Sequence, residues 1–303
     1  MKQLLSAASR NLRYAGVDAV REVLWRTYLS VRPRTPADPV LDADWDLLVV
    51  LDACRADLFE TVVADGDYDF EAGQTRISPG SSSVEWLAAV FGDAPPGALA
   101  DLGYVTANPY SEAHLDAEAF GLLDEVWRDA WDADLGTVPP RPVTDRAVAA
   151  AREAAPDRLV VHYMQPHFPA IATGTGERRT AEAWGDEPMS IWEDLRFGGD
   201  ADRAWADYRA NLELVLEEVT ALLSNVDADR AVVTADHGNA FGERHIYGHP
   251  GGVDLPCLRE VPWCETSATD RGTRTVPTDR RSERTTVDAD AVDARLRSLG
   301  YRT

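Results

Sequence analysis

An aspartate and a histidine side by side, Asp236-His237, close the apolar run Ala231-Val232-Val233-Thr234-Ala235 and open the Gly-rich stretch Gly238-Asn239-Ala240-Phe241-Gly242-Glu243. A hard carboxylate beside an imidazole is a donor pair suited to a divalent cation such as Zn or Mn. Neighbours within a strand face opposite ways, so the two can serve one site only from a loop just past the strand end. Open α/β sheets place their sites in such loops. An ordinary polar turn, with the histidine bonded to backbone, is the other reading that this stretch leaves open.

A second apolar run, Leu47-Leu48-Val49-Val50-Leu51, also ends on an acid, Asp52, and two strand-end carboxylates are what a shared cation requires. Between these runs lie further side chains able to do chemistry. Ser81-Ser82-Ser83 follows a Pro-Gly turn at the predicted start of a helix, where one serine can cap and another attack, with helix N–H groups at hand for an oxyanion. Asn108 ends a third run and can either form the turn or touch a ligand oxygen, and Arg55 follows Asp52 closely. His167 lies between two prolines beyond a fourth run, whereas His162, inside that run, reads as a core histidine. His249 follows Tyr247-Gly248, and Cys54 reads as a small buried residue rather than a nucleophile.

The elements that must position these residues alternate between strand and helix. Buried strands are expected at 47–51, 102–107, 159–164 and 231–235, with a closing strand at 258–263. Helices are expected over 84–91, 143–154 and 201–223, the last with Leu212, Val215, Leu216, Val219, Leu222 and Leu223 at helical spacing. This order predicts an α/β fold, a doubly wound and mostly parallel sheet with helices on both faces. Three stretches are expected: a basic amphipathic helix and linker at 1–40, a catalytic domain at 41–265, and a polar connector with a terminal helix at 266–303. Residues 170–200, rich in Gly, Trp and charge, read as an insertion or lid.

Composition narrows the partners. Acidic residues number 52 against 30 basic, for a net charge of -22. Such a surface lacks the basic footprint of a nucleic-acid binder and suits a protein working in high salt. Residues 1–34 run the other way, with seven basic residues against two acidic, about +5. That segment reads as a terminal helix packed on the domain or as a peripheral contact with anionic lipid or an acidic partner. Three cysteines without a CxxC pair fit a reducing compartment, and no apolar run is long enough to span a bilayer. The location expected is cytoplasmic, with the peripheral contact at the inner membrane face.

Taken in order, Val-Val-Leu-Asp52, Pro-His167-Phe-Pro, Thr-Ala-Asp236-His237-Gly-Asn-Ala-Phe-Gly-Glu and Tyr-Gly-His249 resemble the alkaline phosphatase superfamily, in its sulfatase-like branch, over about residues 46–264. The resemblance implies an alkaline-phosphatase-like sheet binding one divalent metal ion (Mn, Zn, Mg or Ca). Asp52, Asp236 and His237 would be ligands. Ser81, aligned by the family's nucleophile-x-x-x-Glu spacing, would be both ligand and nucleophile. His167 and His249 would hold the transferring oxygens or protonate the leaving group, while Asn108 and Arg55 would bind substrate. Two departures bear on chemistry. The turn lacks the Cys-x-Pro-x-Arg of sulfatases, and Ala53 stands where those enzymes place a second acid. Both favour an anionic phosphate ester, glycan- or lipid-linked, over a sulfate ester. The rival expectation is a catalytically silent relative that binds an anionic glycan or partner in the same cleft.

Overall fold

The computed structural model describes residues 16–95, 97–174 and 190–276. Helix α1 (Gly16–Val31) leads through an extended segment to β1 (Leu47–Leu51), whose five residues are all buried. After α2 (Ala56–Asp65) come β2 (Gln74–Ile77), the short α3 (Ser83–Leu87), which continues as a π-helical segment to Gly92, and β3 (Leu102–Thr106). The chain then runs through β4 (Leu122–Glu125), α4 (Pro140–Glu153) and β5 (Arg158–Tyr163) to α5 (Ile191–Arg196) and α6 (Ala201–Leu223). It finishes with β6 (Ala228–Ala235), the hairpin strands β7 (Ala240–Phe241) and β8 (Tyr247–Gly248), and β9 (Glu260–Ala268).

One seven-stranded sheet, in the order β2-β9-β6-β1-β5-β3-β4, organises the chain. Strand β1 lies between β5 and β6 and is parallel to both; β9 is antiparallel to its neighbours β6 and β2. The fold is thus the expected α/β arrangement, mostly parallel, with helices on both faces. Alternation along the central strands separates two cores. Leu47, Val49, Leu51, Val161 and Val233 pack with α2, α4 and α6, while Leu48, Val50, Tyr104, Val160 and Val232 pack with Trp86 and Leu87 of α3.

The expected strands and the helices over 143–154 and 201–223 are present within a few residues. Within the large sheet two strands, β2 and β4, are additional, as is the small β7-β8 hairpin: Gln74–Ile77 and Leu122–Glu125 are only half-buried or exposed and carry no apolar run. The stretch 170–200, expected as an insertion or lid, contains α5, which is opened by a capping box between Ser190 and Glu193. Residues 175–189 of that lid, residues 1–15 and the terminal helix expected near 287–299 lie outside the described residues.

Helix α1 has an inner and an outer face. Leu29 and Trp25 pack against Ala240, Ile246, Val253, Leu255 and Leu258, the segment that also carries His249. Buried Glu22 holds Arg196 of α5 through two hydrogen bonds of 2.9 and 3.1 Å. On the outer face Val20, Val23, Leu24, Tyr28 and Val31 are exposed, from 47% at Val20 to 75% at Val31.

Candidate metal centre and nucleophile

The ends of β1 and β6 deliver the two carboxylates to one point, because the strands are adjacent, parallel and in register from Leu47 opposite Ala231 to Leu51 opposite Ala235. Asp52 and Asp236 are each the next residue, and both are fully buried. Asp52, Asp236 and His237 each place a donor atom within 4.8 Å of the others. The backbone turns sharply here. Ala53 has φ of +58°, and its N–H donates to Asp236 Oδ1 at 2.9 Å. The His237 N–H donates to the same oxygen at 2.8 Å, which leaves Asp236 Oδ2 buried without a hydrogen-bond partner. Gly238 is required by crowding, since a Cβ there would lie 2.2 Å from the Cys257 carbonyl oxygen.

That orphaned oxygen tests the fit of a cation. The ionic contacts of Asp236 among the described residues are to the imidazoles of His237, at 3.5 Å, and His162, at 3.8 Å. Leaving a buried carboxylate without a full partner is costly, and a divalent ion is the partner that two acids and one imidazole suit. The residues fit the metal.

The histidines around this point share one orientation device. Nδ1 of His237 is 2.8 Å from the Gly238 carbonyl, Nδ1 of His249 is 2.9 Å from Asn239 Oδ1, and Nδ1 of His167 bonds the Phe168 carbonyl. Facing an oxygen acceptor, each Nδ1 carries the proton, so each Nε2 offers a lone pair. The ring of His249 lies 4.8 Å from that of His237 and 4.8 Å from that of His167, which gathers the three into one wall. Burial, with the neighbouring His237, pushes His167 down to about 3 and His249 well below the usual histidine range, so both rings are neutral.

The serine turn divides its work differently from the expected alignment. Ser82 is the helix cap, accepting from the Glu85 N–H at 3.5 Å. Ser83, the first helical residue, turns inward: its Oγ lies 3.3 Å from Asp52 Oδ2 and 3.2 Å from His237 Nε2. Ser81, the expected nucleophile, is not brought to the cluster. Its hydroxyl donates to Glu85 Oε2 at 2.9 Å and faces the Pro250 carbonyl at 3.0 Å, and it accepts from the Val253 N–H at 3.2 Å. Ser81 therefore ties the turn to the loop beyond His249. Burial pushes the Glu85 carboxyl up, but the hydrogen bonds from Ser81 and the charge of Arg34 outweigh it and hold it below its ordinary range.

The two expected substrate contacts are engaged with the protein itself. Asn108 donates through Nδ2 to Asp52 Oδ2 at 2.8 Å and accepts the Tyr110 N–H, so it both forms the turn and orients a ligand. Arg55 is buried. It pairs with Asp57 at 2.6 Å and Glu243 at 2.5 Å, donates to the Asn239 carbonyl and lies over the Trp205 ring. Cys54 is fully buried, and burial drives its thiol well above the usual range, in keeping with a packing role.

Sequence reasoning left His162 in the core, and there it is, but only half-satisfied. Nδ1 meets the Tyr104 hydroxyl at 2.8 Å, while Nε2 has no hydrogen-bond partner and lies 3.8 Å from both Asp52 Oδ2 and Asp236 Oδ2. Strand alternation carried the signal, since His162 shares the face of Val160 and sits opposite Val50, two residues short of Asp52.

Together these residues form a group able to hold a divalent cation, with a hydroxyl beside it, at the carboxyl ends of parallel strands. No protein-family model and no curated sequence matches the chain. Solved structures do. The periplasmic domain of phosphoethanolamine transferase EptC from Campylobacter jejuni is 14% identical, with 73% of this chain and 78% of that one covered and a TM-score of 0.43. The soluble domain of lipooligosaccharide phosphoethanolamine transferase A from Neisseria meningitidis is 14% identical, with 79% and 83% covered and a TM-score of 0.46. A 2-O GAG sulfatase is 13% identical, with 73% and 63% covered and a TM-score of 0.43. The chain is similar to transferases and sulfatases of the kind its motifs resemble.

Proposed function

We propose that this protein is a metal-dependent enzyme that transfers or hydrolyses the phospho group of an anionic phosphate ester, with Ser83 as nucleophile. The observation that carries the reading is the position of Ser83 Oγ, fully buried and 3.2–3.3 Å from one imidazole and one carboxylate of the cation-binding set. When bound, the metal supplies a lowered pKa for a nearby hydroxyl and positive charge against the ester oxygens. Asp52, Asp236 and His237 hold it, with Asn108 and the Ala53 and His237 N–H groups orienting the two carboxylates.

The Ser83 hydroxyl proton has an acceptor within reach at Asp52 Oδ2, while the one free lone pair of His237, at Nε2, is the one that would hold the metal. Oγ then bonds to phosphorus as the bond to the leaving oxygen breaks. His167 and His249 stand beside His237 as neutral rings. A dianionic ester arriving next to them raises their proton affinity, so each can take a proton at Nε2 and donate it to an ester oxygen or to the leaving group. Water or a second alcohol releases the phospho group from Ser83. An unmodified serine in place of the aldehyde-forming cysteine favours phosphate over sulfate esters.

The second element of the proposal is where the substrate sits. Helix α1 exposes Val20, Val23, Leu24, Tyr28 and Val31, with Arg21 on the helix and Arg32 just past its end, in a stretch of about +5 within a chain of net charge -22. An apolar stripe with flanking arginines matches an anionic membrane surface. Since α1 packs on the segment carrying His249, docking there would bring the centre near lipid headgroups. The contact proposed is peripheral, at the inner face of a cell membrane; no helix among the described residues is long and apolar enough to cross a membrane.

The deciding experiment is a brief reaction of the metal-loaded protein with an aryl phosphate, acid quench and peptide mapping. Phosphate on Ser83, and none on that peptide after Ser83→Ala, is expected. Phosphate on Ser81, or turnover undiminished in Ser83→Ala, overturns the assignment.

A further inference from the structure

We infer that His162 is a positioning residue for the cation centre: its Nε2–H supports Asp52 and Asp236 together from the sheet side. The inference rests on the proposed metal site. Four histidines stand near the two carboxylates, and three of them are set by Nδ1 bonds to oxygen acceptors, which turns a lone pair outward at Nε2. His162 has the opposite surroundings. Its Nδ1 faces a hydroxyl, Tyr104, which can donate as well as accept, and its Nε2 faces two carboxylate oxygens at 3.8 Å each.

A lone pair at Nε2 would confront both acids with no partner, deep in the protein. A proton there attracts both, so the tautomer is Nε2–H, with Nδ1 accepting from the Tyr104 O–H. Packing fixes the ring in this pose, since Trp86 meets it edge-on at 5.6 Å and Tyr104 stacks at 6.3 Å. The donor is shared rather than committed. Asp236 Oδ2 has no hydrogen-bond partner, and the Asp52 Oδ2 that faces His162 already accepts from Asn108 and Ser83. One N–H on the symmetry line between two acids holds them at a common spacing without removing a lone pair from the cation. His162 stands outside the candidate ligand group, in which Asp52, Asp236 and His237 each place a donor atom within 4.8 Å of the others. Outer donors of this kind typically change metal affinity by about 10- to 100-fold.

The test is a competition titration of Mn(II) and Zn(II) against a chelating dye, on the full chain, with thermal melting of each metal-free variant as the folding control. His162→Leu keeps volume and loses the donor. His162→Asn keeps a polar group near Tyr104 but does not reach the carboxylates. His162→Gln can present an N–H close to the place of Nε2. A loss of about 10- to 100-fold in metal affinity is expected for the Leu and Asn variants, with Gln within a few-fold of wild type. Tyr104→Phe, which frees the ring tautomer, should weaken binding several-fold and stands in if the Leu variant does not fold. Unchanged affinity in a folded Leu or Asn variant overturns the inference. Gln as weak as Leu also overturns it, because the ring nitrogen would then be a ligand. A wild type that holds neither metal overturns the functional proposal along with this inference; the variant outcomes overturn the inference alone.

Discussion

The cation centre and the outer face of α1 are unfinished in opposite senses. At the centre, polar atoms are buried without completion: Asp236 Oδ2 and His162 Nε2 have no hydrogen-bond partner and no access to water. On α1, apolar side chains stand exposed, with Leu24 at 64%. On the function proposed here, a small hard cation would meet the first deficit and a broad apolar layer edged with negative charge the second. The two deficits differ in kind, one of unmet polarity and one of exposed apolar surface, and each can be removed without the other.

The sharpest break is Ser83→Ala. Loss of the attacking hydroxyl should lower turnover of aryl phosphates by roughly three orders of magnitude or more, while α1 function and melting stay near wild type. Steady-state rates and vesicle co-sedimentation on the same preparation check both halves. Next is Asp236→Asn, which should empty the centre of metal by elemental analysis while circular dichroism keeps the wild-type signature, because the side chain lies beyond the strand. Retained metal would remove Asp236 from the ligand set.

The converse break acts on α1. Val23→Asp with Leu24→Asp should abolish co-sedimentation with anionic vesicles at moderate salt and leave kcat/KM on a soluble aryl phosphate unchanged. Binding by the intact chain should weaken as salt rises, since the basic stretch carries only about +5. If wild type ignores such vesicles at every salt, the peripheral contact is overturned and the helix is structural. The smallest effect expected is that of Ser82→Ala, which removes the α3 cap and should cost about 1 kcal/mol in denaturant melts with turnover within twofold of wild type.

Much of this was legible beforehand, for a physical reason. Strands buried on both faces show as unbroken apolar runs, so β1, β3, β5 and β6 announced themselves, and the acids that end β1 and β6 pointed to the centre. Strands β2 and β4 were silent because Gln74–Ile77 and Leu122–Glu125 sit at the two edges of the sheet, where alternation and apolarity are both weak. Spacing to Glu85 points to Ser81, whereas capping points to Ser83 as the hydroxyl that faces the carboxylates. Ser82-x-x-Glu85 has capping-box spacing, which marks Ser82 as the cap and Ser83 as the first inward-facing hydroxyl. Arg55 and Asn108 could not be assigned from type alone. Whether a guanidinium or an amide meets substrate depends on which acids reach it first, and here Asp57, Glu243 and Asp52 do.

The separation of odd and even residues in β1 makes that strand a ruler with a step of about 3.3 Å. Its scale is read on two sides at once, because neither face has solvent in which an error could be hidden. Deleting a single residue between Leu47 and Leu51 would draw Asp52 back by one step and turn it through half a revolution, swapping the tenants of both cores in the same stroke. The address of the acid is therefore a parity as well as a position. Substitutions in β1 can be absorbed by local repacking, whereas a change in its count cannot be absorbed anywhere.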